Sequence, residues 1–135
     1  LWKYGGVYCD TDFIFVKSFD PILDLDFFCG LTYDRNPIVM NSVIGSSPGN
    51  DLISECQNYD KTIDCTDSMK IIDTTGPYFL TRKFLKVKMK NAVAFPNSFF
   101  YPYPNCDRCK KHGNDYNLYI KNETFCCHLW ACSWI

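Results

Sequence analysis

Two short β-prone runs, Val7-Tyr8-Cys9 and Phe13-Ile14-Phe15-Val16, are separated only by Asp10-Thr11-Asp12. Apolar runs this short suit strands buried on both faces of an α/β sheet. Residues i and i+2 of an extended chain point to the same face, so the two carboxylates can converge on one target. At a strand end they lie where α/β sheets bind ligands, outside the carboxyl ends of the strands. Two carboxylates beside a core are costly unless a cation or partner neutralises them. A hard divalent ion suits oxygen ligands and can bridge to a diphosphate. The bare spacing has a second reading, a strand-to-loop transition with both Asp residues facing solvent.

The chain has 135 residues, 47% of them hydrophobic and 17% aromatic. That length suits one domain or a piece of one, and the aromatic content excludes a disordered chain. With 14 basic against 15 acidic residues, there is no electrostatic footprint for nucleic acid. The longest apolar runs fall far short of the ~20 residues of a membrane span, so membrane association is expected only through a segment outside this chain. Further strands are expected at 27–31, 92–95 and 124–130, the last carrying His128, and 38–44 is an apolar run interrupted by Asn41 and Ser42. Asn50 or Asp51 caps a helix to about residue 59, with Leu52, Ile53 and Cys56 on one face. A second helix runs from about residue 78 to 84 or 86, with Thr75 as its cap and Pro77 in its first turn. Residues 59–73 read as loop-rich, and 99–117 as a long surface loop. The fold class is mixed α/β in one domain.

Nine cysteines, an odd number, leave at least one free, metal-bound or paired outside the chain. Cys9, in an apolar run, reads as core. Cys106-Asp107-Arg108-Cys109 is half of a common zinc site, which Cys126, Cys127 or His128 could complete; a disulfide or two loop thiols is the other reading. Cys56 and Cys65 are a further candidate pair. The cysteine usage and the sequon Asn122-Glu123-Thr124 both lean toward a secretory lumen.

The string YGGVYCDTDFIFVKSFD, residues 4–20, closely resembles the DXD region of the glycosyltransferase family typified by the fungal Golgi initiating α-1,6-mannosyltransferase. That family also includes capsular polysaccharide transferases and mannosyl-inositol-phosphorylceramide synthases. Four more blocks agree in order: Asn41-Ser42-Val43-Ile44-Gly45-Ser46-Ser47-Pro48-Gly49, Thr75-Gly76-Pro77, Phe100-Tyr101-Pro102, and a closing His128-Leu129-Trp130-Ala131-Cys132-Ser133-Trp134. Leu129 stands where the family has a second His, Asn50 where His is frequent, and Cys132 where Gly is common. The family's first nucleotide-binding strand would lie upstream of Leu1. Residues 1–135 are therefore expected to be the C-terminal portion of a single catalytic domain.

The resemblance implies a GT-A fold, with a mostly parallel sheet between helices, and transfer of a hexose from a nucleotide sugar. Mannose is favoured, and UDP-linked galactose or N-acetylhexosamine is the runner-up. The acceptor is a glycan or glycolipid hydroxyl and the configuration is retained. Mn²⁺ or Mg²⁺ is the implied cofactor, with Asp12 as ligand, Asp10 on the ribose or the metal, and His128 as the third ligand; a lone His is otherwise structural. Gly5, Gly6, Tyr8, Ser133 and Trp134 are candidate contacts to the GDP- or UDP-hexose, and Asn41 to the donor sugar. For Trp134 and Asn41 the other readings are packing of a terminal strand and satisfaction of a turn. Eukaryotic relatives imply the lumenal side of the Golgi membrane, bacterial or viral ones the cytoplasm. The rival functions are a non-catalytic carbohydrate- or protein-binding module on a degenerate transferase scaffold, and a zinc-stapled interaction domain.

Overall fold

The computed structural model describes residues 1–62, 66–107 and 115–131. Its strands are β1 (Gly6–Cys9), β2 (Phe13–Phe15), β3 (Phe27–Asp34), β4 (Asn36–Ser46), β5 (Ala92–Phe95) and β6 (Cys126–His128). The main sheet has the order β1-β4-β3-β5, and β2 pairs with β6 in a second, two-stranded sheet. β4 is antiparallel to both of its neighbours, and β3 is parallel to β5. β1, β3 and β5 thus point the same way and β4 runs against them. The sheet is mixed, and the reversal has a local cause. β3 turns directly into β4 through Arg35, whose φ is +56°, and so tight a connection can join only antiparallel neighbours. The return from β4 to β5 passes through helices α1 (Asp51–Cys56), α2 (Ser68–Thr74) and α3 (Pro77–Lys86), a crossover that restores the parallel direction.

Successive residues of β3 face opposite sides of the sheet. Phe27 and Cys29 pack with Val39, Ile44, Leu52 of α1 and Leu80 of α3. Phe28 packs on the other face with Phe13, Val43, Phe100, Tyr101 and Phe125. Both faces are covered, as the short apolar runs require. Phe27, Phe28 and Phe100 are essentially buried, and each contributes roughly 1.5–3 kcal/mol of transfer free energy.

Several expected boundaries shift. Asn50 does cap α1, accepting from the Leu52 and Ile53 N–H groups, but the helix stops at Cys56. Residues 59–73 are not all loop, because the Asp67 carboxylate accepts from the Met69 and Lys70 N–H groups and starts α2. Thr75 closes α2, its hydroxyl donating to the Ile71 carbonyl, while Gly76 precedes α3 without a side-chain cap. Pro77 opens α3 as expected. The start of 99–117 is core rather than surface: α4 (Asn97–Phe100) leads into Tyr101 and Tyr103, and Phe100, Tyr101 and Tyr103 are all buried. The prolines there break regular pairing without keeping the aromatic rings in water. Cys9 is half-buried against the Phe28 side of the core, and Cys29, Cys126 and Cys127 are buried thiols. Cys56 and Cys106 are free; Cys65 and Cys109 lie outside the described residues.

Candidate active site

Asp10 continues β1 past its last residue, its N–H donating to the Ser42 carbonyl of β4 at 2.8 Å. The carboxylate therefore stands at the carboxyl end of that strand. β2 begins three residues later, and its pairing with β6 sets Phe13 opposite His128. Asp12, just before Phe13, is tied to the segment that follows β6. Its main-chain oxygen accepts from the Leu129 N–H at 2.9 Å, and its Oδ2 from the Ala131 N–H at 2.8 Å. This pairing brings together side chains more than a hundred positions apart. His128 Nε2 lies 3.0 Å from Asp12 Oδ1 and 4.0 Å from Asp10 Oδ2, and one ligand atom from each of the three residues lies within 4.8 Å of the others.

His128 is buried, and neither of its ring nitrogens has a hydrogen-bond partner among the described residues. The Asp12 carboxylate at 3.0 Å would form an ion pair if the ring were protonated. Aromatic rings fix the imidazole: Phe13 at 4.6 Å, Trp130 edge-on at 4.3 Å and Tyr101 edge-on at 5.9 Å between centroids. Burial holds its pKa below the ordinary histidine value, against the weaker upward pull of Asp12 and Asp10. The ring is thus neutral at pH 7 and keeps a lone pair. Buried polar atoms are rarely left without a partner, and an unpartnered imidazole nitrogen facing two carboxylates is a donor set that fits a divalent cation. The Tyr8 hydroxyl donates to Asp10 Oδ1 at 2.6 Å, which pushes the tyrosine pKa up to about 12. That bond orients the carboxylate so that Oδ2 faces His128.

The other candidates fall in different places. The β3–β4 register shifts between Cys29 and Gly30, so residues 41–43 lack β3 partners beside the end of β1. Bulges of this kind re-aim side chains next to sites. Asn41 shares with Tyr8, Thr75 and Phe79 a cavity of about 400 Å³, outside the three-residue cluster. Gly5 and Gly6, with φ of +67° and +100°, shape the turn at the opposite end of β1. A Cβ on Gly5 would strike the Ser46 carbonyl and Pro48, so these glycines enter the fold rather than the cluster. Ser133 and Trp134 lie outside the described residues. Two residues absent from the sequence-based site are Tyr101 and Trp130. The Tyr101 hydroxyl meets Ser42 Oγ at 2.9 Å, and Trp130 Nε1 donates to the Tyr103 carbonyl at 2.7 Å. Trp130 sits two positions beyond His128, and that spacing was the available signal. Both residues line a second cavity of about 720 Å³ near the carboxyl ends of β3 and β5.

Residues 1–29 match the family model described as a glycosyltransferase sugar-binding region containing a DXD motif. The chain is also similar to lactosylceramide 4-alpha-galactosyltransferase of Mus musculus, with 27% identity over 150 aligned positions covering 96% of this chain. The chain spans 38% of the length of that relative. No solved structure matches significantly. Asp10-Thr11-Asp12 thus lies inside a matched DXD region, and both likenesses support a glycosyltransferase.

Proposed function

We propose that this chain belongs to the catalytic domain of a divalent-metal-dependent glycosyltransferase that moves a hexose from a nucleotide sugar to a hydroxyl of a glycan or glycolipid. The convergence of His128, unpartnered among the described residues, on Asp10 and Asp12 of the matched DXD region carries the proposal. Asp10, Asp12 and His128 would hold Mn²⁺ or Mg²⁺. When bound, the cation supplies charge neutralisation for the diphosphate leaving group. Tyr8 keeps Asp10 turned toward the cluster, and the Phe13, Tyr101 and Trp130 rings keep water from the imidazole. Asn41, across the Tyr8 cavity, offers an amide to the donor-sugar hydroxyls. With retention, the acceptor hydroxyl attacks the face that the phosphate leaves, and its proton passes to that phosphate.

The sequence resemblance favours mannose as the transferred sugar. The mouse relative's name brings galactose and a lactosylceramide acceptor. In a eukaryotic cell the proposed location is the lumenal side of the Golgi membrane; among the described residues no helix is long and apolar enough to cross a membrane. The test incubates the protein with Mn²⁺ and a panel of GDP- and UDP-hexoses, and scores nucleotide release with and without chelator. Chelator-sensitive release from one donor, absent in Asp12→Asn, is the expected result. Neither release nor binding of any donor would sink the proposal and leave a non-catalytic carbohydrate-binding module.

A further inference from the structure

The larger cavity lies between the β3–β4 hairpin, the α2–α3 turn and the segment that follows β5. Its walls include Thr32, Tyr33, Tyr78, Asn97, Asn105 and Trp130, and none of the described residues that line it carries a charge. Its volume of about 720 Å³ falls within the ~300–1,000 Å³ range of small-molecule sites. Among the described residues a diphosphate would find no neutralising group there, whereas the acidic cluster stands directly beyond Trp130. That indole is shared: one edge meets His128 and the ring also walls the cavity.

From these observations we infer that this cavity is the acceptor site, and that it takes the terminal hexose of a neutral glycan. Saccharides present C–H faces and a rim of hydroxyls, and the lining answers both. Tyr33, Tyr78 and Trp130 offer aromatic faces. The side-chain amides of Asn97 and Asn105 and the hydroxyls of Thr32 and Tyr78 make no hydrogen bond to a described residue, so they are free to meet sugar hydroxyls. Trp130 is held in place by its bond to the Tyr103 carbonyl, with its backbone at φ +56°. A non-glycine residue keeps that conformation only where its surroundings enforce it, as they do at ligand clamps. An acceptor seated against Trp130 is one ring away from the Asp10–Asp12–His128 cluster.

The inference rests on the transferase reading, and the experiment separates the two. Saturation-transfer NMR in the presence of chelator, with lactose in one sample and mannobiose in another, reads saccharide binding without donor or metal. Wild-type protein is expected to bind one of them. Tyr78→Ala and Asn105→Ala, each checked for an unchanged melting temperature, are expected to weaken that binding about tenfold. In the transfer assay the same variants should raise the acceptor KM more than the donor KM. Failure of wild type to bind either sugar, or unaltered binding in both variants, overturns the inference. A rise in donor KM alone also overturns it, because the cavity would then hold the donor. Saccharide binding lost in the variants, with no donor turned over by wild type, upholds the cavity as a glycan site and removes the transferase reading instead.

Discussion

His128 is costly to bury with both ring nitrogens unpartnered among the described residues and two carboxylates at 3.0 and 4.0 Å. Its depressed pKa has a consequence for the metal-free protein. Between the folded value and the ordinary 6.5, the unfolded chain binds a proton that the folded chain does not. Stability contributed by the neutral ring is therefore fully present above about pH 6.5 and is lost as pH falls through the folded value. Urea denaturation in chelator at a series of pH values should show this loss, and His128→Gln should lack that component. Greater stability of wild type on acidification, relative to His128→Gln, would contradict it. Tyr8 gives a second prediction at this scale. Tyr8→Phe removes the hydroxyl that donates to Asp10 Oδ1 and is expected to weaken Mn²⁺ binding by roughly 10–100-fold, the usual effect of losing an outer-sphere partner. The side chain is 48% exposed, so the melting temperature should change little; equal Mn²⁺ affinity in calorimetry would refute the orienting role.

The element that shapes the site is the bulged β4, and Gly30 stands opposite its irregularity. A Cβ at Gly30 would collide with the Tyr101 and Phe100 rings. Gly30→Ala should therefore cost about 1–3 kcal/mol, the usual cost of overpacking, and should displace Tyr101 from Ser42 and from the edge of His128. Thermal denaturation reads the cost, and an unchanged melting temperature would mean that the rings yield freely. At the far end of β4, Asn50 caps α1 and also donates through Nδ2 to the Asp26 carbonyl at 3.0 Å. Asn50→Ala is expected to lose about 1–2 kcal/mol in chemical denaturation. Elements of this kind were legible in the sequence when local chemistry decided them. Val7-Tyr8-Cys9, Ala92 to Phe95 and the Asn50 cap all carry their signal within a few residues. The segment around α2 hid its helix because only Asp67 and three apolar residues mark it. The Phe100-Tyr101-Pro102 stretch looked like a loop because proline outweighed ring burial, which only the opposing Phe28 and Gly30 make visible.

Across the whole molecule, β1, β3 and β5 share one direction, and their carboxyl ends open toward the acidic cluster and the neutral cavity. The sequence carried Asp10 and Asp12 by their spacing, and a resemblance added His128. It could not carry the pairing of β2 with β6 that sets the histidine beside them, because that contact depends on register between segments more than a hundred residues apart. The contact of Tyr101 with His128 was hidden for the same reason, whereas Trp130 had a local signal in its spacing from His128. A cation bound only by the folded state must stabilise it, by ~2.7 kcal/mol at a hundredfold excess over Kd. Saturating Mn²⁺ should accordingly raise the melting temperature by several degrees, and much less in Asp12→Asn. The most direct test of the proposed metal site is electron-spin-echo spectroscopy of Mn²⁺ bound to the protein. Nitrogen coupling from one imidazole, abolished in His128→Gln, is the predicted spectrum; nitrogen coupling that persists in that variant, or bound Mn²⁺ with none in wild type, would contradict the assignment of Asp10, Asp12 and His128 as its ligands.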